Sequence, residues 1–152
     1  MIKKSKRLQP VANLAGTRER DAARALGDAQ RILKEHEERL GELLDYQAQY
    51  HQQFHDAGSA GAAAQRLNDY QAFLTRLKEG IRHQTTRIQL ARLTVERRKG
   101  EWMEARSRAQ AMNKVVERHV SHEKYHEDRQ DQLETDEQAR VVTNGRHDPS
   151  PD

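Results

Sequence analysis

From Leu67 onward an apolar residue recurs every seven positions, at Leu67, Leu74, Ile81, Ile88, Val95, Trp102, Ala109 and Val116. Three residues after each of the first seven comes a second series, Tyr70, Leu77, Gln84, Ala91, Arg98, Ala105 and Met112, polar only at Gln84 and Arg98. Offset in this way, the two series form one stripe along a helix. A repeat of about 3.5 residues sustained this far predicts a left-handed supercoil with a partner helix.

The amino-terminal part of the chain supplies that partner. Its stripe runs through Leu26, Leu33, Leu40, Gln47 and Phe54, together with Leu8, Ala15, Ala22, Ala29, His36, Leu43 and Tyr50. Leu8, Gln9 and Pro10 read as the helix start, because a first turn has no bond for the missing proline N–H to lose. Between the two stripes lies a short Gly/Ser-rich interruption, Asp56 to Gly61, which places a turn at about 57–62. A short connection between long amphipathic helices favours antiparallel neighbours. The expected fold is therefore all-α, a long antiparallel two-helix coiled-coil hairpin. Its unequal arms cover about 8–56 and 63–140 within one unit, 1–141, followed by a disordered tail, 142–152. Residue i then faces roughly residue 119 − i, so the second arm projects beyond the first from about Met112 to Arg140. There the stripe decays to His119, Glu123, His126, Gln130 and Leu133, which cannot bury a seam, so this stretch is expected to fray unless a partner orders it.

Composition narrows the class. Of 152 residues, 34% are hydrophobic and 34% charged, against about 45–50% and about 25% in ordinary domains, which argues for long charged helices over a thick core. Without cysteine, disulfides, thiolate nucleophiles and cysteine zinc sites are excluded. No signal-peptide run follows the basic start and nothing approaches a membrane span, so the chain is expected to stay soluble where it is made.

Charge is zoned rather than large, the net value being +3. Lys3, Lys4, Lys6 and Arg7 open the chain, and in the hairpin register Arg97 and Arg98 come level with Arg18, and Arg106 with the lysines. One end is then basic. Glu117 to Arg140 holds eight acids against four bases. Nucleic acid is a conceivable partner for the basic end, but interleaved acids and the near absence of stacking aromatics there disfavour it. An acidic protein surface fits as well, and solvated arginines on an exposed helical face are the plainer alternative.

Two further groups carry candidate chemistry. His122, Glu123, Lys124, Tyr125 and His126 spell H-E-x-x-H, the string that sets two zinc-binding histidines on one helical face. A metalloprotease also needs a third ligand and a sheltered shell, which so polar a helix does not offer, so a solvated face is the expectation and no cofactor is implied. Leu43, Tyr46 and Tyr50 come level with Phe73 and Leu77. Aromatics on the flank of a helix pair have no third layer to cover them, which favours a docking surface over core.

A basic amino terminus leading into Leu8, a cysteine-free heptad hairpin, the Leu43, Tyr46, Tyr50 run and the Phe73, Leu77 pair after a short turn resemble the flagellar FliJ proteins over residues 1 to about 141. The resemblance implies a non-enzymatic stalk, similar to the gamma subunit of rotary ATP synthases, in the flagellar type III export apparatus. It implies that the basic open end (Lys3, Lys4, Lys6, Arg7, Arg18, Arg97, Arg98, Arg106) contacts the hexameric export ATPase, FliI. It implies that Leu43, Tyr46, Tyr50, Phe73 and Leu77 meet the export gate, FlhA, and that empty export chaperones are further partners. The chain departs from the family pattern at Gly80 and Gln84. A monomer is expected, cytoplasmic and peripheral at the inner face of the cell membrane at the flagellar base through its partners, with no nucleic acid bound. The competing classes are a generic homodimeric coiled-coil scaffold and a basic nucleic-acid-binding rod. No phosphate-binding glycine loop suggests nucleotide hydrolysis by the chain itself.

Overall fold

A computed structural model describes residues 2–145. It contains two helices, α1 (Lys4–Ser59) and α2 (Ala64–Gly145), and no strand among the described residues. The fold is an all-α helical hairpin.

The reversal is made by the backbone. The Ala62 N–H donates to the Ala57 carbonyl at 2.9 Å and the Gly61 N–H to that of Gly58 at 3.2 Å. Gly61 has φ of 76°. This is a Schellman ending, in which the residue beyond the cap takes a left-handed conformation that costs glycine least. The Leu67 and Arg66 N–H groups then return to the Ala63 carbonyl and start α2 without a side-chain cap.

Every position of the predicted stripes, from Leu8 to Tyr50 and Phe54 and from Leu67 to Val116, is buried or half-buried. The α1 stripe also extends further back than its apolar residues suggest. Stepping by seven from Leu26 reaches Glu19, Ala12 and Ser5, which are half-buried, buried and buried in turn. On α2 the same continuation reaches Glu123, which is half-buried.

The chain divides into two units, one joining residues up to Arg18 with those from Ala105 on, the other spanning Glu19–Glu104. In the first, small residues fill the seam, with Ala12, Ala109 and Val116 buried. Its distinctive contact is polar. Ser5 donates its backbone N–H to Glu123 Oε1 at 3.1 Å and its hydroxyl to Oε2 at 2.6 Å, while Lys3 is paired with Glu127. In the second unit Ile88 is buried, and the seam holds two polar layers. Gln84, 2% exposed, donates through Nε2 to the His36 carbonyl at 2.9 Å, with His36 Nδ1 at 3.1 Å. Trp102 Nε1 donates to Glu19 Oε1 at 2.9 Å.

Three expectations change. The helix starts at Lys4, not Leu8, and Pro10 lies inside it. The reason is Glu123: an α-helix leaves its first N–H groups without partners, and the carboxylate on α2 satisfies that of Ser5 at the positive end of the helix dipole. Nor does α2 project alone from Met112. Ser5 meets Glu123 rather than the expected neighbourhood of Lys114, Met112 is half-buried, and only residues 124–145 are exposed throughout. Helical side chains lean toward their own amino terminus, so Glu123 and Glu127 reach back to the start of α1. Finally, the tail expected from 142 begins as helix. α2 continues to Gly145, with the Thr143 hydroxyl bonded to the Ala139 carbonyl at 2.7 Å. The rest of that tail, 146–152, lies outside the described residues.

Candidate functional site

Near the reversal, in the second unit, the stripes carry rings. Tyr50 and Phe73 pack with centroids 4.3 Å apart at 37°. Tyr70 bridges to Tyr50 at 6.4 Å and to Phe54 at 6.5 Å, and the Arg66 guanidinium lies 5.9 Å from the Tyr70 ring centre. Tyr50, Arg66, Asp69, Tyr70 and Phe73 line an open concavity of about 260 Å³. The heptad explains the arrangement. Tyr50 and Tyr70 sit on the stripes and are half-buried, whereas Phe73 is one step off, so its ring covers Tyr50 from the flank and stays 37% exposed.

Among the residues expected to dock, Tyr50 and Phe73 are thus in contact. Leu43 and Leu77 are half-buried in the stripes, and Tyr46 remains 51% exposed. Arg66 and Asp69 at the concavity, and exposed Leu44, were not anticipated. No apolar period picks out the first two, and Leu44 lies beside the stripe rather than on it.

The basic candidates fall in both units. Lys3, Lys4, Lys6, Arg7, Arg18 and Arg106 belong to the first, Arg97 and Arg98 to the second. Lys3 is held by Glu127, and that hydrogen bond, then its charge, pushes the lysine above its ordinary pKa. Glu123 is held below the usual carboxylate range, chiefly by the Ser5 hydroxyl, with the Ser5 N–H and the charges of Lys3 and His119 adding to it. Arg98 pairs with Glu101 at 2.9 Å. Arg18 and Arg108 rim an apolar groove of about 320 Å³ lined by Val11, Leu14, Ala15, Ala105, Ala111 and Met112.

In the H-E-x-x-H string His122 and His126 are exposed, with their rings 4.5 Å apart. Its glutamate is the one that caps α1. Among the described residues no three His, Cys, Asp or Glu side chains are placed to hold a metal ion, and no helix is long and apolar enough to cross a membrane.

Comparison with known proteins decides the family. The model of flagellar FliJ proteins matches residues 4–146. The chain belongs to the flagellar FliJ family. It is 32% identical over 133 residues to the flagellar FliJ protein of Escherichia coli (strain K12), covering 88% of this chain and 90% of that one. It is 33% identical over 135 residues to that of Salmonella typhi, with the same coverage. Its fold is also that of a proposed YscO homolog from Chlamydia trachomatis, with a TM-score of 0.62 and 18% identity over 95% of this chain and 96% of the other. As a FliJ protein it is a component of the flagellar type III export apparatus.

Proposed function

We propose that this FliJ protein is a non-enzymatic coupling stalk. It promotes assembly and activity of the export ATPase hexamer FliI, links that ring to the export gate FlhA, and handles empty export chaperones. It works in the cytoplasm, held at the inner face of the cell membrane by its partners.

The observation that carries this reading is the Tyr50–Phe73 pair. Two large rings from different helices pack together yet leave Phe73 37% exposed. An aromatic that is rigid, held in place and still partly wet is the kind of side chain that anchors an interface, because burying it releases water at little entropic cost. Tyr46, Leu43 and Leu77 complete the proposed gate-docking face. For the ATPase ring, the reading assigns Lys4, Lys6, Arg7, Arg18 and Arg106 of the first unit and Arg97 of the second. Lys3 is paired across the hairpin with Glu127, and Arg98 within α2 with Glu101.

The direct test is binding of the purified chain to the cytoplasmic part of FlhA. Replacing Tyr50 and Phe73 together by alanine weakens that binding at least about tenfold while helicity is kept. Unchanged binding rejects the assignment, and loss of helicity shows that the rings serve the core.

A further inference from the structure

The first unit carries two exposed surfaces that complement one another. One is the groove beside α1, where Val11 and Leu14 are 48% and 50% exposed and Arg18 and Arg108 form the rim, with no acidic residue in its lining. The other is the unpaired end of α2. There Val141 (67% exposed) and Val142 (57%) share one helical face with Glu134, Glu137 and Gln138. Between Lys124 and Arg140 six carboxylates stand against three cations.

We infer that the acidic end of α2 docks into the arginine-rimmed groove of a second copy of this chain. Several features support a second copy. The face from Glu134 to Val142 and the groove from Val11 to Arg18 each extend on the order of 10–12 Å at the helical rise. Each sets exposed apolar side chains beside charged ones, and the charges of the two are of opposite sign, the pattern that steers and registers an interface. The placement also closes. Arg108 and Met112 lie before Glu123 on α2, Glu134 and Glu137 after it, each group on the order of 20 Å away. Two antiparallel α2 segments related by a two-fold axis near Glu123 therefore make both contacts at once, a closed dimer with no free groove left to propagate. The stripes that join α1 to α2 are already filled within one chain, so this association adds to the hairpin instead of replacing it. The inference goes beyond the stalk reading and does not depend on it.

The test is sedimentation equilibrium of the full chain across concentration, at low and high salt. The expected result is a reversible monomer–dimer equilibrium above the 17.6 kDa monomer, weakened at least about tenfold by raising salt from roughly 0.05 to 0.5 M. Glu134→Arg with Glu137→Arg abolishes it, as does Arg18→Glu with Arg108→Glu, and mixing these two variants restores a dimer, since both contacts then regain opposite charges. Because the chain has no cysteine, Arg108→Cys with Glu137→Cys supplies a second readout, a disulfide between chains formed under oxidation. A strict monomer at every concentration in low salt overturns the inference. So does a dimer indifferent to the charge reversals, or a mixture that stays monomeric while both variants keep native helicity.

Discussion

Ser5 gives both its backbone N–H and its hydroxyl to the two oxygens of Glu123. A residue at the start of one helix is thus capped by a carboxylate from the other. The bond fixes where α1 begins and holds Glu123 below the usual carboxylate range.

A pH dependence follows, with its sign. A carboxylate whose folded pKa is lowered contributes stability that is fully present above its unfolded value, and loses it as pH falls through the folded value. The wild-type chain should lose thermal stability on acidification below the ordinary carboxylate range. Glu123→Gln should be less stable at neutral pH and lose less on acidification. Melting followed by circular dichroism from pH 7 to pH 3 checks this; parallel curves for the two proteins would contradict it. Lys3 acts oppositely: its raised pKa gives stability present below the ordinary lysine value and lost as pH rises through the folded one.

Gly27, Gly41 and Gly100 sit inside helices, and a methyl group added at any of them meets nothing within 4 Å. Replacing each by alanine should therefore stabilise the chain by about 1 kcal/mol, through the lower helical cost of alanine alone. Urea midpoints read the gain, and a loss at any of the three would show a packing role.

Ile88 and Leu133 are both apolar residues on the α2 stripes, but Ile88 is 4% exposed and Leu133 60%. Ile88→Ala should cost about 2–4 kcal/mol, the transfer term plus a cavity that a two-helix seam closes only partly. Leu133→Ala should change the stability of the isolated chain by no more than about 0.5 kcal/mol. Equal effects in denaturant titrations would mean that the end of α2 is packed in the isolated chain.

The hairpin was legible because burial in paired helices imposes a period, and Leu67 to Val116 keep that period with large apolar residues. The seam's polar layers were less so. Glu19 and Ser5 occupy the same heptad positions as Leu26 and Leu33, yet polarity hides them from a search for apolar repeats. Each is intelligible only with its partner, the Trp102 indole or the Glu123 carboxylate. Glu123 itself reads in sequence as a decaying stripe or as part of a metal-binding string. The cap depends on a contact between residues 118 positions apart, which no local pattern encodes. Pro10 misleads for a related reason, since a proline marks a helix start only when nothing upstream satisfies the first turn. At the candidate docking face, periodicity picked out Tyr50, and the hairpin register put Phe73 level with it. Arg66 and Asp69 became visible only once the reversal at Gly61 had placed them, with Tyr70, beside Tyr50 of α1.

The coupling role is tested most directly by steady-state ATP hydrolysis of purified export ATPase with and without this chain. The chain alone should show no hydrolysis. Its addition should raise ATPase turnover and shift the ATPase toward its hexamer, both effects being reduced when Lys4, Lys6, Arg7 and Arg18 are replaced by glutamate. Turnover and oligomeric state unchanged at saturating amounts of the folded chain would contradict the coupling role.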